Sequence, residues 1–100
     1  MTGIELIAKE RKEQLEKHSR TVVEDANMNC DDQLSFAASC LAFKNIEEWD
    51  PTVCTPTGWD QKIWEKMVEK PHEERLKIAG ALIAAELDRI SFLKAHGIRK

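Results

Sequence analysis

Nothing in this chain approaches the ~20 consecutive apolar residues that a membrane-spanning helix requires. Its opening stretch, MTGIELIAKERKEQ, has none of the apolar core of a signal peptide. Charge of one sign is missing too: 15 Lys and Arg stand against 18 Asp and Glu, a net charge of −3. The two signs are interspersed, so the basic stripe that marks a nucleic-acid surface is absent, and nucleic acid is excluded as a partner on charge. Cysteine is sparse and unpatterned. Cys30, Cys40 and Cys54 form an odd set without CxxC spacing, which argues against a disulfide framework. Together with His18, His72 and His96 they do not match finger-type zinc spacing. Reduced thiols and a cytoplasmic, membrane-free location are the expectation. Ser-nucleophile, P-loop, dinucleotide and HExxH motifs are all lacking, so no catalytic residue is assigned.

What the chain does have is apolar residues at helical spacing. Its 100 residues are 42% hydrophobic, enough for one modest core and a single helical domain over residues 1–100. Residues 3–18 read as a first helix, with Ile4, Ile7, Ala8 and Leu15 on one face. Thr2 followed three residues later by Glu5 is a capping-box pattern. Residues 18–29 have little apolar periodicity and read as a loop or short extended passage. A second helix is expected over about 30–45, capped by Asn29, with Asp31 and Asp32 favoured at its positive end. Leu34, Ala37, Ala38 and Leu41 carry its apolar stripe, widened by Phe36, Cys40 and Phe43.

Between Glu48 and Gly58 the prolines and threonines cannot sustain a helix. A short helix at about 60–69 follows, capped by Asp60 and packing through Ile63, Trp64 and Met67. Pro71 opens the last helix, about 71–95, which stops near Gly97. The fold expected is therefore all-α: a compact bundle of about four helices, with a Trp/Pro-rich loop between the second and third.

The last helix is the most informative segment. From Ile78 to Ala85 it carries no polar side chain, and a helix apolar all round is normally enclosed by others. Gly80 weakens such a helix by ~1 kcal/mol relative to alanine. Its presence therefore points to a close packing contact, within the chain or with a second copy. Glu86 follows Ala79 and Leu82 on one row, where a partly desolvated carboxylate needs a partner. Arg11 on the first helix supplies one, giving an Arg11–Glu86 ion pair that fixes register. The competing reading makes Glu86 face a ligand.

Glu10 and Gln14, one turn apart, can meet Asp32 at a helix junction and bind Mg²⁺ through waters. Trp49, Trp59 and Trp64, with Phe36 and Phe43, form either the lid of a small core or a wall that stacks a base. The candidate ligand-binding residues are thus Glu10, Arg11, Gln14, Trp59, Trp64 and Glu86, with Glu10, Asp32 and Glu86 as metal ligands under an enzymatic alternative.

The order of these features resembles a family of small uncharacterised helical proteins found in phage and prophage genomes. That family's ELIxxERxxQ pattern appears here as Glu5-Leu6-Ile7 with Glu10, Arg11 and Gln14. Its DDQL-like helix start with paired alanines is Asp31 to Leu34 with Ala37 and Ala38. A tryptophan- and proline-rich middle is represented by Trp49, Pro51, Trp59 and Trp64. A KAGALIxAEIxRL-like helix reads KIAGALIAAELDRI in this chain. Two positions depart: His18-Ser19-Arg20 replaces a Gly-Trp, and Gln33 stands where a glutamate is common.

A weaker similarity is to the all-α, MazG-like nucleoside-triphosphate pyrophosphatases, which hold Mg²⁺ between ExxE and ExxD carboxylates. Here Glu86 and Asp88 are two apart and point to different faces. The phage-family resemblance implies a phage- or mobile-element-type protein and carries no activity with it. The candidate residues add the expectation that the chain binds a nucleotide-like small molecule or a host protein without a cofactor, and the small residues of the last helix that it self-associates. A Mg²⁺-dependent pyrophosphatase using Glu10, Gln14, Asp32 and Glu86 is the alternative. A purely structural interaction module is the second alternative.

Overall fold

The computed structural model describes residues 1–17, 32–44 and 55–97. Among them lie four helices and no strand: α1 (Gly3–Lys17), α2 (Gln33–Ala42), α3 (Gln61–Val68) and α4 (His72–Ala95). The protein is all-α. Among the described residues no helix is long and apolar enough to cross a membrane. The expectations placed on residues 18–31 and 45–54 lie outside the described residues; they include the Asn29 cap, Asp31, Trp49, Pro51, Cys30, Cys54 and His18.

Local chemistry sets the helix ends. At α1 the capping box forms reciprocally: the Glu5 N–H donates to Thr2 Oγ1 at 3.2 Å, and the Thr2 N–H donates to Glu5 Oε1 at 3.0 Å. Hydrogen bonding of the ionised Glu5 carboxyl by Thr2, through its backbone N–H first and its side chain second, holds that carboxyl below the ordinary carboxylate range. Asp60 caps α3, accepting from the Lys62 and Ile63 N–H groups at 2.9 and 3.1 Å. Just before it, the Trp59 N–H donates to the Pro56 carbonyl at 3.1 Å, closing a turn in which Gly58 adopts φ +83°. Pro71 precedes α4, and Gly97, at φ +71°, ends it. Asp32 occupies the N-cap position of α2, with Gln33 as the first helical residue, and its side chain makes no capping bond.

The core is built on α2 and α4, with α3 closing one end. Leu34, Ala37, Ala38, Cys40 and Leu41 of α2 pack with Ile78, Ala79, Leu82 and Ala85 of α4, and with Trp64 and Val68 of α3. Ile63, expected inside, is exposed, because the buried face of α3 runs through Trp64 and Val68. α1 also departs from expectation. Ile4, Ala8 and Leu15 are exposed, whereas Arg11 and Gln14 are buried. Ile7, Arg11 and Gln14 follow i, i+4, i+7 spacing, so the inward face of α1 is largely polar.

The close approach of α1 accounts for Gly80. A Cβ at that position would lie 2.5 Å from Ile7 Cδ1 and 2.6 Å from Ile7 Cγ1. The glycine expected to have a packing reason therefore serves an internal contact.

Candidate functional site

Glu86, on α4, is turned toward α2. It accepts from the Ser35 hydroxyl at 3.1 Å and from Nη2 of Arg89 at 3.1 Å, and its Oε1 also takes the Nε–H of Arg89. The expected Arg11–Glu86 pair is absent. Arg11 instead donates from Nη2 to Asp88 Oδ2 at 3.1 Å. The reason is rotational. Glu86 and Asp88 are two residues apart and so about 200° apart around α4. α2 covers one flank and α1 the other. Each carboxylate is claimed by the helix on its own side.

Arg11 and Gln14 are both more than nine-tenths buried, and Arg11 Nε, Arg11 Nη1 and Gln14 Oε1 have no hydrogen-bond partner among the described residues. They form a polar seam between α1 and α4. Glu10 is half-buried at the other edge of α1. Desolvation, then the neighbouring Glu13, pushes its carboxyl above the ordinary range, and Lys70 opposes this only partly. Asp32 is exposed at the start of α2.

Glu10, Asp32 and Glu86 thus sit on three separate elements in three separate surroundings. Among the described residues no three of His, Cys, Asp and Glu come together as a metal would need, so the cation set expected under the enzymatic alternative is not assembled by these three.

The two described tryptophans follow the core reading rather than the stacking wall. Trp64 is 0% exposed and belongs to the core. Trp59 packs on that core and meets Trp64 edge to face, with ring centroids 5.9 Å apart at 79°. Phe36 and Phe43 are exposed on α2 and just beyond its end. Trp64 therefore offers no face to a ligand.

Sequence reasoning missed Arg75. It is 3% exposed and spends its donors on helix ends. Nη1 donates to the Leu41 and Phe43 carbonyls at 3.0 and 2.6 Å, Nη2 to the Lys44 carbonyl at 3.1 Å, and Nε to the Lys70 carbonyl at 3.0 Å. These are carbonyls at or just past the C-termini of α2 and α3, where helices leave acceptors unpaired and a cation is favoured. A signal was present. Arg75 lies in the first turn of its own helix, where acids such as Glu73 and Glu74 belong, so its charge serves other elements.

Alongside Glu86 runs an open groove of about 390 Å³ between α2 and α4, lined by Ser35, Ala38, Ser39, Ala42, Ile83, Glu86 and Leu87. Its outer wall continues into a row of large apolar side chains on α4, namely Leu76, Ile83, Leu87 and Ile90, each between 37% and 61% exposed. The expectation that α4 is enclosed on all sides is met on two flanks only. Comparison with known proteins found no match to this chain among family models, curated proteins or solved structures.

Proposed function

We propose that this chain is a non-catalytic helical module that works by protein–protein contact along the outer face of α4 and the adjoining α2–α4 groove. The observation that carries the reading is the Leu76–Ile83–Leu87–Ile90 row, four large apolar side chains left partly exposed on the helix with the most apolar centre. Scattered exposed apolar residues are ordinary, but a contiguous row marks a contact surface.

Two of the candidates support the same reading by being occupied within the fold. Glu86 holds Ser35 and Arg89, and Trp64 is core. A cytoplasmic site of action in a phage- or mobile-element-type protein is part of this proposal. Nucleotide binding and Mg²⁺-dependent pyrophosphate release have no comparable support among the described residues.

The test is thermal unfolding of the full chain against nucleoside mono-, di- and triphosphates, cyclic nucleotides and dinucleotides, with and without Mg²⁺. A ligand at 100 times its Kd would add about 2.7 kcal/mol, a shift that is easily read. The expected result is an unchanged midpoint with every nucleotide. A reproducible rise with any of them overturns the protein-contact reading, and a Mg²⁺-dependent rise with a triphosphate replaces it with the pyrophosphatase.

A further inference from the structure

We infer that the occupant of the α4 face is a second copy of this chain, docked antiparallel along α4 about a two-fold axis passing close to Ile83. The inference rests on the protein-contact reading above and names its partner.

Its first support is the spacing. Leu76, Ile83 and Ile90 recur every seven residues, and Glu73, Gly80, Leu87 and Lys94 form a second row with the same repeat, one helical step away. Two such rows make the seam that one helix offers to another at a small crossing angle. From Leu76 to Ile90 the seam is about 21 Å long.

Its second support is that both rows complement themselves only when reversed. In the antiparallel arrangement Leu76 faces Ile90 of the second copy, Ile83 lies on the axis, Glu73 faces Lys94, and Leu87 meets Ile7, whose side chain fills the space over Gly80. There the side chain of Ile7 lies against the helix and extends the apolar floor. A parallel arrangement would set Glu73 against Glu73 and Lys94 against Lys94.

The charges at these ends are available. Glu73 and Lys94 are exposed and in no ion pair among the described residues, whereas Asp88, Glu74 and Glu86 are held by Arg11, Lys77 and Arg89. Exposed charge of opposite sign thus sits at the two ends of the seam, as an antiparallel self-contact requires. Glu73 shares only a through-space attraction with Lys77, which Glu74 already bonds. Four half-exposed side chains per copy place the interface at the small end of specific contacts, so the dimer is weak and concentration-dependent.

Sedimentation equilibrium of the full chain, from micromolar to millimolar concentration, tests this. The expected result is a reversible monomer–dimer equilibrium. Ile83→Glu sets two carboxylates together at the axis and should weaken the dimer about tenfold or more. Because Ile83 is exposed in the single chain, its helical circular dichroism should be unchanged.

Orientation is read separately. Glu73→Lys and Lys94→Glu should each weaken the dimer about fivefold, and the double variant should restore it. A wild type monomeric throughout, or a dimer indifferent to Ile83→Glu, overturns the second-copy inference. Either result leaves the protein-contact reading to stand or fall on the nucleotide panel. A double charge variant no tighter than the singles overturns the antiparallel docking.

Discussion

At the scale of single residues, the polar interior decides more than the apolar one. Arg75 satisfies four carbonyls that belong to the ends of α2 and α3. Replacing it by Met keeps the volume but leaves those acceptors buried without donors, and Arg75→Met should lower stability by on the order of 3 kcal/mol. Urea unfolding followed by circular dichroism measures it, and an effect within a few tenths would mean the carbonyls find other donors.

Gly80 tests the packing of α1 in the opposite sense. In an open helix Gly→Ala would stabilise by ~1 kcal/mol. Here the added methyl meets Ile7, a β-branched side chain with few alternative rotamers in a helix. Gly80→Ala should therefore destabilise, and adding Ile7→Ala should recover much of that loss; simple additivity of the two changes in a double-mutant cycle would contradict it.

Two of the four glutamates of α1, Glu5 and Glu10, should be shifted in opposite directions. Glu5, held below the ordinary value by its capping bonds, contributes stability above its unfolded pKa that is lost as pH falls through the lower folded pKa. Glu10, raised by desolvation, binds its proton more tightly folded than unfolded, so its contribution declines as pH rises from the ordinary to the raised value. Carboxyl ¹³C shifts across an acid titration should give Glu5 the lower midpoint and Glu10 the higher; the reverse order would contradict both assignments.

At the scale of elements, most of the helix framework was legible because its ends are written in local chemistry. The Thr2–Glu5 box, the Asp60 cap, Pro71 before α4 and Gly97 after it are short-range signals that no tertiary contact overrides. Asp60→Ala should cost α3, and with it the Trp64 contact, about 1 kcal/mol. A thermal midpoint unchanged by that substitution would show the cap to be dispensable.

Which face each helix buries was less legible. α1 presents Arg11 and Gln14 inward although Ile4 and Leu15 are the more apolar choice. The chain trades an apolar face for an ion pair with Asp88, and periodicity counts apolar residues only. Sequence spacing identified Arg11 as an interhelical cation. It paired Arg11 with Glu86 where the structure pairs it with Asp88, because the choice depends on the flank along which α1 docks. Arg75 was invisible to pattern reading for a related reason: its partners are backbone carbonyls more than thirty residues away.

For the whole molecule, the apolar centre of α4 announced an enclosed helix, yet the other described helices cover only part of it. α2 and α1 take opposite flanks and leave Leu76, Ile83, Leu87 and Ile90 facing outward. Enclosure by a second copy reconciles the composition of α4 with its exposure. The most direct measurement is a dilution series of ¹H–¹⁵N correlation spectra, from millimolar to micromolar, on the wild-type chain. The expected result is a set of concentration-dependent amide shifts confined to the outer face of α4 and the adjoining Ile7 turn of α1, with the Trp64 indole unmoved. Shifts centred on α3 and the Trp59 turn, or a spectrum that does not change with concentration, would contradict it.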